Sequence, residues 1–277
     1  MTLKDILVHV DNGPACPARL ETAVNLAVAH GAHLVGLHVR PSLVLPGAIS
    51  PDYGGEISRL HGLYSESASA EAKKSFDRAV GAVSLSSEWR DIRGDMIDLV
   101  ALHSRYCDLA IVGQADSADG AIVGDRRLCD HLPIASGVPV LVVPCVGHYP
   151  VVGERILVGW DASREAKRAL SDAMPLLARA KRVVVLAVNP EGGGKHGDVP
   201  CADIALHLAR HGVKAVCETI RAEDLEVGSV LLSRAADEEA DMIVIGSYAH
   251  SRLRELVLGG TTRHLLAHMT VPVLMSH

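Results

Sequence analysis

The stretch best equipped for chemistry runs from Gly246 to Arg263: Gly-Ser-Tyr-Ala-His-Ser-Arg-Leu-Arg-Glu-Leu-Val-Leu-Gly-Gly-Thr-Thr-Arg. It follows an apolar run, Met242-Ile-Val-Ile245, and leads into a helix-like segment that ends before Val271-Pro-Val-Leu-Met275. A buried strand, a glycine-bearing loop, a helix start and a second buried strand are the parts of a phosphate cradle. Glycines let the backbone approach an anion, and the first N–H groups of a helix face it without intrahelical acceptors. Gly259-Gly260 permits unusual φ values, Thr261 and Thr262 offer hydroxyls, and His250, Arg252, Arg254 and Arg263 bring positive charge toward a polyphosphate.

The elements that must hold such a cradle are written twice along the 277 residues. Ile6-Leu-Val-His-Val-Asp11 matches Ile156-Leu-Val-Gly-Trp-Asp161 at an offset of 150 (156 minus 6). Asp108-Leu-Ala-Ile-Val-Gly113 matches Asp241-Met-Ile-Val-Ile-Gly246, and Gly137-Val-Pro-Val-Leu-Val142 matches Thr270-Val-Pro-Val-Leu-Met275, both at an offset of 133 (241 minus 108, 270 minus 137). Three blocks in the same order indicate a tandem duplication, with domains expected at 1–146 and 152–277. Pro144-Cys-Val-Gly-His-Tyr-Pro150 is the short linker between them.

Each copy alternates strands and helices. Strands are expected near 5–11, 33–40, 84–91, 108–113 and 138–143, then 155–161, 182–188, 214–219, 241–246 and 271–275. Helices are expected near 15–30, 56–82, 95–106 and 125–136, then 163–179, 200–211, 225–239 and 260–269, with Asp95 and Ser163 as N-caps. Such alternation predicts an α/β fold of two open parallel five-stranded sheets with helices on both faces. Composition agrees. The chain is 48% hydrophobic and only 3% aromatic, so Val, Leu, Ile and Ala must build the core, as suits strands covered on both sides.

The spacing Gly246-x2-Ala249-x9-Gly259-Gly260-Thr261 resembles the ATP-binding signature of the universal stress protein family, Gly-x2-Gly-x9-Gly-Ser/Thr. The resemblance implies a Rossmann-like, adenine-nucleotide α-hydrolase-like fold whose two units pair through their last strands, here within one chain as a pseudo-dimer. It implies an adenine nucleotide as ligand, ATP with Mg2+ as its companion ion. Asp161, at the end of the first strand of copy two, would contact the adenine-ribose side, and Val188 would line the base. Gly246, Ala249, Gly259, Gly260, Thr261 and Thr262 would hold the phosphates. Two positions depart from the signature. Ala249 replaces the second glycine, at ~1 kcal/mol if a left-handed φ is required there. Gly260 replaces a hydroxyl residue, and one lost hydrogen bond weakens affinity on the order of tenfold.

Copy one carries Asp116, Asp119 and Asp125 where the phosphates would lie, so it is expected to be structural even though Asp11 ends its first strand. Those aspartates leave a divalent metal site as an alternative. A net charge of −6 gives no reason to expect nucleic acid as a partner, and no apolar run approaches the ~20 residues that span a membrane. Six scattered cysteines without a C-x-x-C pair read as reduced thiols of a cytoplasmic protein. No Ser-His-Asp arrangement can be read: His9 lies inside a strand, and His250 accompanies Ser247 and Ser251 without a positioned carboxylate. The expected function is a stress-response factor that binds nucleotide without dedicated catalysis. A scaffold acting through protein partners and a weak ATPase remain the alternatives, and homodimer formation stays open.

Overall fold

Ten strands and nine helices alternate along the described residues of the computed structural model, which are 2–42, 51–115, 125–190, 201–247 and 259–277. In the N-terminal half the order is β1 (Asp5–His9), α1 (Cys16–His30), β2 (His33–Pro41), α2 (Pro51–Gly81), β3 (Ser87–Gly94), α3 (Met96–Ser104), β4 (Leu109–Gly113), α4 (Asp125–Ser136) and β5 (Val140–Val143). The C-terminal half repeats it with β6 (Arg155–Gly159), α5 (Arg164–Asp172), α6 (Met174–Leu177), β7 (Arg182–Val188), α7 (Ala202–Arg210), β8 (Ala215–Ile220), α8 (Val227–Asp237), β9 (Met242–Gly246), α9 (Gly260–His268) and β10 (Val273–Ser276). The one expected helix over 163–179 is two. Pro175 has no N–H to continue an α-helical ladder, and the chain restarts at Met174 as a single turn.

All ten strands are hydrogen-bonded into one sheet, in the order β3-β2-β1-β4-β5-β10-β9-β6-β7-β8, so the two expected five-stranded sheets are one, continuous through their last strands. Within each half the pairing is parallel. The halves meet antiparallel at β5 and β10, through Val140↔Met275, Leu141↔Leu274 and Val142↔Val273. Both strands are wholly buried, and each would otherwise present an unpaired backbone edge. The outer edges fall to β3 and β8, whose residues are half-buried or exposed, with charged side chains at Glu88, Arg90, Asp91 and Arg93 on β3 and Glu218 on β8.

Apolar residues face both sides of this sheet, and helices cover both. Ile6, Val8, Ile156 and Val158 pack under α1, α2, α5 and α7, with Phe76, the chain's single phenylalanine, filled in against Gly36. Leu7, Leu157, Ile243 and Ile245 pack under α3, α4, α8 and α9. Asp95 accepts a hydrogen bond from the Asp98 N–H at 3.0 Å, and Ser163 accepts one from Ala166 at 3.1 Å, so both act as the N-caps the sequence suggests. The linker is docked as well: Thr22 Oγ1 donates to the Tyr149 carbonyl, and the Tyr149 hydroxyl donates to Val146 O at 2.6 Å, with Thr270 O at 3.1 Å. Among the described residues no helix is long and apolar enough to cross a membrane, and all six cysteines are free thiols.

Candidate functional site

In both halves the strand order reverses between the first and fourth strands, so a crevice opens beyond their carboxyl ends. In the C-terminal half this crevice is a cavity of about 340 Å³, at the small end of the ~300–1,000 Å³ range of ligand pockets. Its floor is Gly159 at the end of β6 and Ile245-Gly246 at the end of β9. One wall is Leu186 and Val188 from β7 with Val227 and Leu231 from α8. Its mouth is Trp160, Asp161 and Ser163 on one side and Gly259, Gly260, Thr261 and Thr262 on the other. Asp161, Val188, Gly246, Gly259, Gly260, Thr261 and Thr262, separated by up to a hundred residues, therefore line one space. Ala249, His250, Arg252 and Arg254 lie outside the described residues.

Local chemistry explains how each side chain is held. Asp161 Oδ1 accepts the Ser163 N–H at 2.9 Å, an Asx turn in which Ala162 sits in the left-handed region at φ 57°. A non-glycine residue there costs on the order of 1 kcal/mol, so the turn that exposes the Asp161 carboxylate is held under strain. Ser163 then caps α5, whose first turn crosses directly over Gly246. A Cβ on Gly246 would collide with the backbone of Glu165 and Ala166. Gly246 is thus a glycine of close approach.

Gly259 and Gly260 are glycines for a different reason from the one the sequence suggests. Gly259 has φ −57° and ψ 149°, which any residue adopts, and Gly260 is not among the residues with positive φ. An added Cβ at either position would meet nothing within 4 Å among the described residues. What the two glycines leave is room at the cavity mouth, directly before α9. The opening N–H groups of that nine-residue helix have no acceptor within the helix itself. Thr262 is buried and Thr261 half-buried beside them.

The walls were not legible in the sequence. Val227 and Leu231 reach the cavity because α8 packs on α9 through Gly228, whose missing Cβ leaves space for His264. This contact assembles a serine, a histidine and a carboxylate that the chain keeps apart: Ser229 Oγ lies 3.0 Å from His264 Nε2, and Glu226 Oε2 lies 2.5 Å from Nδ1. None of the three lines the cavity, and the Glu226 side chain is 72% exposed, so the group clasps two helices without facing the enclosed space. Ser229→Ala is expected to cost about 1 kcal/mol of stability, the net worth of one hydrogen bond, read as a shift in urea midpoint.

The N-terminal crevice is built differently. Asp11 matches Asp161, but its carboxylate is committed: Oδ2 is 2.5 Å from Arg19 Nη2, and Oδ1 accepts the Gly13 N–H at 2.9 Å. Burial would raise the Asp11 pKa, yet Arg19, His9 and the Gly13 N–H together hold it down at about 2. Arg19 is buried, and its Nε donates to the His9 carbonyl at 2.9 Å. Burial lowers the His9 pKa from 6.5 to about 4. The Asp11 charge opposes that shift, and Arg19 and His38 reinforce it. Asp125 begins α4, while Asp116 and Asp119 lie outside the described residues. Among the described residues no group of three or more His, Cys, Asp or Glu side chains could hold a metal ion.

Comparison with known proteins places this architecture. A protein-family model described as "Universal stress protein family" matches residues 2–144 and again 153–277. The chain is similar in structure to a universal stress protein from Archaeoglobus fulgidus DSM 4304, with a TM-score of 0.72 and 19% identity over 98% of this chain and 95% of that one. It is similar also to a putative universal stress protein from Pseudomonas aeruginosa UCBPP-PA14, with a TM-score of 0.61 and 16% identity over 99% and 93%. No curated protein sequence matches significantly.

Proposed function

We propose that this chain, which belongs to the universal stress protein family, binds one adenine nucleotide, ATP foremost, in the cleft of its C-terminal half, without dedicated catalysis. The observation that carries this reading is the convergence of an uncommitted carboxylate, an apolar slot and a helix N-terminus on one cavity. The slot between Val188, Leu186 and Leu231 suits a flat, largely apolar base. Asp161 keeps its second carboxylate oxygen for ribose hydroxyls, and no ion pair engages it among the described residues. The N–H groups opening α9, with Thr261 and Thr262, suit phosphate oxygens. Mg2+ would enter with the phosphates, where the Asp161 carboxylate and the threonine hydroxyls are oxygen donors of the kind it prefers.

The halves, residues 1–146 and 152–277, act in this reading as two domains paired as a dimer within one chain. The N-terminal partner completes the central sheet, and its own cleft is unused. The free thiols fit a reducing compartment such as the cytoplasm. A protein partner that reads the nucleotide state would complete a role in the stress response.

Asp161→Asn tests the ligand assignment with little risk to the fold, because asparagine keeps the oxygen that accepts the Ser163 N–H. The expected outcome is one calorimetric ATP site per chain before the change and about tenfold weaker affinity after it, the worth of a hydrogen bond to a charged acceptor. No saturable heat up to millimolar ATP in protein stripped of nucleotide would remove the reading and leave the scaffold. Phosphate release lost in Asp161→Asn, at a rate well above one per minute, would replace it with an ATPase.

A further inference from the structure

The two halves superpose in register, so their clefts can be compared residue by residue. Ile6, Leu7 and Val8 pair with Leu109, Ala110 and Ile111 as Ile156, Leu157 and Val158 pair with Met242, Ile243 and Val244. His9 is therefore the counterpart of Gly159, and both stand opposite a leucine of the second strand, Leu37 and Leu186. Gly159 borders the cavity, and a Cβ there would already stand 3.1 Å from Ile245 and 3.4 Å from Leu231. The N-terminal half puts an imidazole in that place. His9 is 3% exposed, and its Nε2 is buried with no hydrogen-bond partner among the described residues.

A second filler lies beside it. Leu20 and Leu170, like Ala23 and Ala173, hold matching core positions, which sets Ala169 opposite Arg19. The Arg19 guanidinium lies over Gly113, where an added Cβ would collide with it, and it grips Asp11 and the His9 carbonyl. At the matching Gly246 it is the backbone opening α5 that covers the glycine, and no ion pair engages Asp161 among the described residues. We propose that His9 and Arg19 plug a latent adenosine cleft in the N-terminal half, and that Gly159, with no arginine at the position matching Arg19, leaves its C-terminal twin open. The acidic residues that the sequence sets at 116, 119 and 125 would oppose phosphates alone.

The plug deepens the nucleotide reading of the C-terminal cleft and rests on it. ATP and adenosine are titrated by calorimetry into the full chain, His9→Gly/Arg19→Ala and Gly159→His, with the melting temperature of each recorded. Adenosine carries no phosphate, so the acidic stretch does not oppose it. The expected result is one site in the unaltered chain, a second and weaker site in the double variant, and at least a hundredfold loss of affinity in Gly159→His. One site in both the unaltered chain and a folded double variant overturns the plug while the C-terminal reading stands. If the double variant does not fold, His9→Gly alone and Gly159→His decide, and a folded Gly159→His that binds normally overturns the proposal. No site in the unaltered chain overturns the C-terminal reading, and the plug then survives only if the double variant gains a site.

Discussion

Replacing Gly246 by alanine is expected to lower stability by about 3 kcal/mol, the upper part of the usual range for overpacking. At the scale of ~2–4 °C per kcal/mol for large domains, that is a fall in Tm of roughly 6–12 °C. The reason is geometric: the new Cβ would collide with backbone atoms of Glu165 and Ala166, which no rotamer change can move aside. Relief requires α5 to lift from β9, which carries Ser163 and the Asp161 turn away from the cavity, so ATP affinity should fall with stability. Gly259→Val separates the two effects. Its φ of −57° suits a side chain and, among the described residues, nothing stands within 4 Å of the new Cβ, so Tm should hold within a few degrees. Its side chain nevertheless enters the space where phosphates are proposed to sit, and ATP binding should be lost. Thermal melts of both variants, with and without ATP, check the pair. Equal loss of stability in both would contradict the distinction.

The second large effect is a loss of stability in mild acid to which His9 contributes most, with His30, His103 and His207 acting in the same direction because burial lowers their pKa values as well. His9 has a folded pKa of about 4 against 6.5 when free, so between those values the unfolded chain binds a proton that the folded chain refuses. Stability therefore rises with pH across this window, is fully present above about pH 6.5, and is lost as pH falls toward 4, by about 3 kcal/mol. Asp11 adds a second window with the same sign. Its pKa of about 2 against 3.8 gives stability that is present above about pH 4 and disappears as pH approaches 2. His9→Leu should remove about one proton from the uptake on unfolding near pH 5, while leaving the lower window in place. Urea denaturation at pH 7, 5 and 4 measures it, and an unchanged slope in the variant would show that His9 is not buried as described.

Much of this was readable in the chain itself, and the failures have physical causes. The β7 range 182–188 and the α4 range 125–136 coincide with expectation because apolar periodicity and the bounding residues agree there. Pro175 stands inside an apolar pattern of helical period that predicts one helix, and the α-helix stops at Asp172 before it. Gly259 and Gly260 were found, but spacing cannot tell a glycine that relieves φ from one that leaves room, and the backbone angles decide for room. Val227 and Leu231 stayed hidden because only the packing of α8 on α9 turns them to the cavity. The Ser229-His264-Glu226 clasp was missed for the same reason, its members lying up to 38 residues apart (264 minus 226). His9 is the instructive case. The duplicated blocks set it opposite Gly159 in the first comparison of the two copies, but its meaning required a cavity at Gly159.

Photolabelling with an azido-adenosine triphosphate, followed by peptide mapping, tests the central claim most directly. One label per chain is expected, blocked by excess ATP and mapped to the cavity strands and helix at 155–190 and 227–246. Protectable label in the N-terminal half, with the C-terminal peptides unmodified, would contradict the account.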